Sequence, residues 1–129
     1  MESIFQHSCI DLEKLKKTIT DGEEFLKSIS RVHPMEIKCI LENIYAMYEG
    51  QFSEVLQNEY EKYREFDITY DNNGNITSAS LKWNYWDAGE VRLICTGVEV
   101  VYIPEIGSQK IIAELPLEIV KTYFKEILK

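Results

Sequence analysis

Phe66-Asp67-Ile68-Thr69-Tyr70-Asp71 and Ile76-Thr77-Ser78-Ala79-Ser80-Leu81-Lys82-Trp83-Asn84-Tyr85-Trp86, joined by Asn72-Asn73-Gly74-Asn75, decide the fold. Both outer runs alternate in polarity, the period of a half-buried strand. Asn-Gly between them marks a hairpin, because both residues tolerate the positive φ of a type I′ turn. In the second run Thr77, Ala79, Leu81, Trp83 and Tyr85 share one face, and Ile76, Ser78, Ser80, Lys82 and Asn84 share the other. The larger, more apolar set is expected to face a helical layer and the second set to form a polar outer face.

Downstream the period stays that of strands. Asp87-Ala88-Gly89 turns the chain into Val91–Cys95, Gly97 reverses it into Val98–Ile103, and the loop 104–108 leads to a short strand over Lys110–Glu114. Pro116 opens a terminal helix with an apolar stripe of Ile119, Val120, Tyr123, Phe124 and Ile127.

Upstream the reading is helical. Asp11 is a candidate N-cap for a helix carrying Leu12, Leu15 and Ile19, and Thr20–Glu24 supplies a break. There Asp21 and Glu24 are spaced as a capping box before Phe25, Leu26 and Ile29. The expectation is two short helices or one kinked helix. From Pro34 the apolar residues Ile37, Leu41, Ile44 and Tyr48 recur at helical spacing and lie on one face, with Gly50 as a stop. Ser53 is a candidate cap for a further helix buried through Val55, Leu56, Tyr60 and Tyr63. Helices followed by strands and a last helix define an α+β domain: N-terminal helices, a four- to five-stranded antiparallel meander, and a C-terminal helix on one face. The 129 residues read as a single domain, mainly helical over 1–65, sheet over 66–114 and helix over 116–129.

Composition narrows the function classes. The chain carries 14 Lys and Arg against 22 Asp and Glu, a formal charge of -8, with 45% apolar residues. That apolar content suffices for a core. Excess negative charge repels phosphate backbones and anionic headgroups, so neither nucleic acid nor membrane is an expected partner, whereas a basic protein is. The start of the chain lacks a secretory signal pattern and no run approaches the roughly 20 apolar residues of a membrane span, so a cytoplasmic location is expected.

The three cysteines, Cys9, Cys39 and Cys95, have no CxxC spacing and read as small buried hydrophobes in a reducing compartment. His7 and His33 belong to no ligand motif and read as surface or capping residues. No GxSxG elbow, GxGxxG or phosphate loop occurs, so hydrolase, kinase and dinucleotide chemistry lack their parts, and neither a metal nor a cofactor is expected.

The charge is uneven. Between Cys39 and Glu61 there is no Lys or Arg, while Glu42, Glu49, Glu54, Glu59 and Glu61 supply five of the eight net charges. If a helix starts at Ser53, Glu54, Asn58, Glu61 and Glu65 share a face; Glu42 and Glu49 share one on the preceding helix. Such a surface is either a solvated helix face or a docking face that steers a cationic partner. Trp83-Asn84-Tyr85-Trp86-Asp87 is a second group: Trp83 and Tyr85 belong to the expected core, and Trp86 beside Asp87 is a candidate interface anchor.

In size, acidity, α+β order and acid-rich helices over 39–61, the sequence resembles bacterial immunity proteins, the small cytosolic inhibitors made beside polymorphic or contact-dependent toxins. The resemblance implies a noncatalytic protein that occludes a basic nuclease-type toxin with carboxylates and aromatics. Glu42, Glu49, Glu54, Glu59, Glu61 and Glu65 would then form the electrostatic face, with Trp86 and Asp87 as a secondary contact. Two other classes fit the same charge and order: a small secretion or effector chaperone, and a ligand-binding domain or enzyme with a pocket between sheet and helices.

Overall fold

The structure is a computed structural model. It describes residues 2–48, 64–83 and 88–128, with side chains from residue 12 onward other than that of Arg64. Helices α1 (Glu2–Ile29) and α2 (Pro34–Tyr48) precede strands β1 (Arg64–Tyr70), β2 (Ile76–Trp83), β3 (Ala88–Ile94), β4 (Gly97–Ile103) and β5 (Lys110–Pro116), and α3 (Leu117–Phe124) closes the order. The strands pair antiparallel in chain order, β1-β2-β3-β4-β5, so β1 and β5 are the edges. This is the expected α+β architecture with a meander sheet.

All three helices pack on one face of the sheet. Phe25, Leu26 and Ile29 of α1, Ile37, Leu41 and Ile44 of α2 and Leu117, Val120 and Phe124 of α3 are buried against Ala79, Leu81, Trp83, Val91, Leu93, Val98 and Val100. The cross-strand register accounts for this set. Leu81 lies opposite Val91 and Val91 opposite Val100, while Ala79 lies opposite Leu93 and Leu93 opposite Val98. Directly opposed residues share a face, so one apolar parity runs across three strands. Phe25 meets Phe124 edge to face with centroids 5.3 Å apart, joining α1 to α3.

Several local expectations are corrected. Helix α1 runs unbroken through Thr20–Glu24 and through Asp11, so neither the break nor the two proposed N-caps exist. Gly22 is inside the helix and buried; a Cβ there would lie 1.6 Å from the Cys95 carbonyl oxygen at the β3–β4 turn. The glycine marks a close approach of helix to turn, not the end of a helix. The C-terminus of α1 is tied to the sheet by Ser30, whose hydroxyl donates to the Leu26 carbonyl at 2.7 Å and accepts the Ile76 amide at 2.8 Å.

The β1–β2 hairpin forms, but not with a two-residue type I′ turn. Tyr70 pairs with Ile76, and the Asp71 amide donates to the Asn75 carbonyl at 2.8 Å, leaving Asn72, Asn73 and Gly74 as the loop. The Gly74 amide donates to the Asp71 carbonyl and Gly74 takes φ 81°. That is a three-residue loop in which only the last position needs left-handed backbone, which glycine supplies. The preference for three residues has a visible cause: the Asp71 carboxylate accepts the Asn73 amide at 2.8 Å and the Asn75 amide at 2.9 Å.

Those two amides, Asn75 first and then Asn73, hold the Asp71 carboxyl below its ordinary value of 3.8. A depressed folded-state value contributes stability that is complete above the unfolded value and is lost as pH falls through the folded one. Replacing Asp71 by Asn keeps an accepting oxygen but removes the charge. The thermal midpoint of wild type is therefore expected to exceed that of Asp71→Asn at pH 7 and to converge on it as pH drops below 3.8. A midpoint difference that stays constant from pH 7 down to about 2.5 would show that the charge contributes nothing.

Register irregularities explain two further departures. Between Thr69 and Tyr70 the β1–β2 pairing shifts, leaving Thr77 as the extra residue. Thr77 is consequently exposed, its hydroxyl donating to the Thr69 carbonyl at 3.1 Å, and Ile76 is buried in its stead. In α3, Leu117 is buried and Ile119 is 44% exposed, because the helix starts directly from Pro116 and turns Leu117, Val120 and Phe124 inward. Tyr123 and Ile127 pack at the margin of the core as expected.

Candidate functional site

The sheet face opposite the helices gathers charged residues from all five strands. With Leu81, Val91 and Val100 directed to the core, alternation places Glu65 and Asp67 of β1, Ser78, Ser80 and Lys82 of β2, Glu90 and Arg92 of β3, Glu99 and Val101 of β4 and Glu114 of β5 on the outer face. Register sorts them into rows. Glu65 lies opposite Lys82, and Lys82 opposite Glu90. In the next row Asp67, Ser80, Arg92, Glu99 and Glu114 follow one another across all five strands. Five carboxylates thus face two cations.

Arg92 organises the middle of this surface. Its Nε lies 3.2 Å from Glu90 Oε1 and its Nη1 3.8 Å from Glu99 Oε1, while Nη2 donates to Gln109 Oε1 at 2.9 Å. The guanidinium has donors enough to serve three acceptors in one plane. It holds two carboxylates in place and draws the β4–β5 loop toward the sheet. These groups are partly shielded, with side-chain exposures of 28% for Arg92, 14% for Glu90 and 27% for Glu99. The carboxylates are therefore preorganised, which lowers the ordering cost of any contact they make.

The β4–β5 end is less balanced. Glu99 and Glu114 are directly opposed, an arrangement that places like charges about 5 Å apart at Cβ and is destabilising. Glu99 has Arg92 on its other side, whereas the Glu114 side chain, exposed on the edge strand, makes no hydrogen bond or ion pair among the described residues. Both line a shallow cleft of about 280 Å³ with Thr96, Gly97, Val98, Leu115 and Pro116. A second cleft of about 360 Å³ lies where α1 meets the β1–β2 hairpin, lined in part by Glu23, Glu24, Asp71 and Cys95. The Asp71 carboxylate there is already engaged by its own turn.

Of the residues singled out from sequence, Glu42 is on α2, half-buried, and Glu65 is in β1. Glu65 is consequently not part of a helical face with Glu54 and Glu61; it belongs to the outer sheet surface, on the opposite side of the sheet from α2. Glu49, Glu54, Glu59, Glu61, Trp86 and Asp87 lie outside the described residues, as do the helix expected from Ser53, the stop at Gly50 and the position of Tyr85. The structure adds Glu90, Glu99 and Glu114, which sequence proximity did not bring together.

Trp83 is 1% exposed and stacks on Tyr45 of α2, with ring centroids 3.7 Å apart and 21° between planes. Cys39 is exposed and Cys95 half-buried, so neither is the fully buried hydrophobe expected of it. Their positions follow from placement: Cys39 is on the outward side of α2 and Cys95 in the β3–β4 turn. His33 accepts the Met35 amide at its Nδ1, 3.1 Å away, and so caps the start of α2. Among the described residues no three His, Cys, Asp or Glu are grouped to hold a metal ion, and no helix is long and apolar enough to cross a membrane. No known family model, curated protein or solved structure matches the chain.

Proposed function

We propose that the protein is a noncatalytic acidic binding protein of the immunity type, which holds a basic, nuclease-type toxin domain inactive by direct contact in the cytoplasm. The observation that carries this reading is the outer sheet face, where five carboxylates surround two cations and Arg92 fixes two of them in place. A preorganised anionic surface steers a cationic partner and resists wrong ones, and steering acts on the association rate. The acid-only stretch from Cys39 to Glu61 adds to the same long-range field, and Trp86 with Asp87 is the proposed secondary contact.

The test is co-expression with a basic, nuclease-type toxin domain that arrests growth on its own, followed by stopped-flow association at several salt concentrations. Growth is expected to be restored, and the association rate is expected to fall at least about tenfold as salt rises from ~0.05 to ~0.5 M. Charge reversal at Glu54 and Glu61 is expected to lower that rate and flatten its salt dependence. A salt-independent rate, or growth arrest undiminished by the protein, would remove the reading.

A further inference from the structure

We infer that the partner adds an extended segment of alternating basic and apolar residues to the free edge of β1, as a further strand of the sheet. This rests on the proposed function for the partner's existence but is a separate statement about what the protein receives and where. An edge strand carries a row of backbone donors and acceptors that its own sheet leaves unpaired, and an extended peptide can complete them. The sheet has two such edges, β1 and β5, and they differ. β5 carries the marks of a blunted edge: Lys110 at its start, Pro116 without an amide hydrogen at its end, and Ile112 as the extra residue where pairing shifts between Val100 and Val101. β1 has no Lys, Pro or Gly, and the extra residue of its own irregularity, Thr77, belongs to β2, so its backbone runs regular from Arg64 to Tyr70.

The two faces of β1 specify the occupant. Phe66 and Ile68 lie opposite Leu81 and Ala79 on the helix side, yet both are only partly buried, and Tyr70 is 49% exposed. The cause is that α1 packs chiefly on β2, α2 on β2 and β3, and α3 on β4 and β5, so among the described residues the helical layer thins out over β1. An added strand brings apolar side chains against that margin of the core. On the other face Glu65 and Asp67 project outward, and Asp67, opposite Ser80, makes no side-chain hydrogen bond or ion pair among the described residues. Cations opposite these acids are favourable and further acids are not, which disfavours a second copy of the chain. In the fully overlapped antiparallel register of two β1 strands Asp67 falls opposite Asp67, and with a slide of two residues Glu65 falls opposite Asp67 or Asp71. Since directly opposed residues share a face, alternation of basic with apolar residues satisfies both sides of β1 at once.

The probe is an octapeptide of alternating lysine and valine, titrated into the isotope-labelled full chain at low salt and followed by amide shifts and hydrogen exchange. In the free chain every second amide of β1 is expected to exchange fast. On binding, those amides are expected to become protected and the shifts to concentrate on residues 64–70. The same residues in block order, lysines then valines, are expected to bind at least about tenfold more weakly, because they keep the charge and lose the alternation. Asp67→Lys is expected to weaken the alternating peptide at least about tenfold, whereas Glu114→Lys, an equal change of charge on the other exposed edge, is expected to weaken it no more than about twofold through the long-range field. Equal loss in the two variants, or equal binding of the block peptide, would leave only a diffuse field and overturn the inference. Protection of every β1 amide in the free chain would mean that the chain covers this edge itself, and would overturn it too. If a basic toxin domain is neutralised equally well by Asp67→Lys, the edge is not the site and the proposed function stands. If the peptide adds to β1 and the toxin domain is not neutralised, the edge addition stands and the proposed function falls.

Discussion

Gly22→Ala is expected to destabilise the protein by about 3 kcal/mol or more, lowering the thermal midpoint by roughly 10 °C or more, the upper range for overpacking a closed contact. The sign is the informative part. In an exposed helix interior the same change stabilises by about 1 kcal/mol, because Ala has the higher helix propensity and Gly the greater freedom when unfolded. Here the added methyl would meet the Cys95 carbonyl oxygen at 1.6 Å and its carbonyl carbon at 2.5 Å. These are backbone atoms of a tight turn between β3 and β4, which cannot rotate aside as a side chain does. Either α1 lifts off the sheet, exposing Phe25, Leu26 and Ile29, or the turn deforms. Urea unfolding of the variant beside Lys16→Ala, an exposed site on the same helix, decides the matter. A stabilised Gly22→Ala would mean that α1 does not approach the turn this closely.

The same residue marks a boundary of what sequence alone reveals. A glycine flanked by Asp21 and Glu24 carries every local mark of a helix boundary, and nothing near it in the chain reveals that its role is contact with residue 95. Strands are more legible, because alternation is a local property: Ala79, Leu81 and Trp83 announce the buried face within one strand. The bulge at Thr77 is hidden for the complementary reason, since it depends on pairing with Thr69 and Tyr70.

Charge follows the same pattern. Along the chain the acid-only stretch from Cys39 to Glu61 stands out, whereas Glu90, Glu99 and Glu114 are scattered among valines and isoleucines. Folding reverses their prominence. Antiparallel register brings Glu99 opposite Glu114 and both into line with Arg92, although the two acids are fifteen positions apart in the chain. A local signal does exist: each of the three occupies a polar position in an alternating apolar run, which directs it to the outer face. Combined with the order of the meander, that parity gathers all three on one surface.

Trp83→Ala is expected to cost about 3–5 kcal/mol, the range for emptying a buried aromatic site, which is a large share of the roughly 5–15 kcal/mol of a typical domain. Trp83 closes the end of the core where β2, β3 and α2 converge: it lies opposite Gly89 of β3 and stacks on Tyr45 from α2. Loss of the indole therefore opens a cavity and removes the aromatic stacking that pins α2 to the sheet, an interaction worth about 0.5–1.5 kcal/mol beyond its buried area. Trp83→Phe separates the two parts. It keeps a ring against Tyr45 and is expected to cost only about 1–2 kcal/mol, the volume deficit alone. Chemical unfolding followed by circular dichroism measures both variants, with equal destabilisation by Phe and Ala meaning that stacking on Tyr45 contributes nothing. The result also bears on the docking surface. Trp83 faces the helices and its neighbour Lys82 the outer side of the sheet, so a partner that binds Trp83→Phe but not Trp83→Ala is responding to stability.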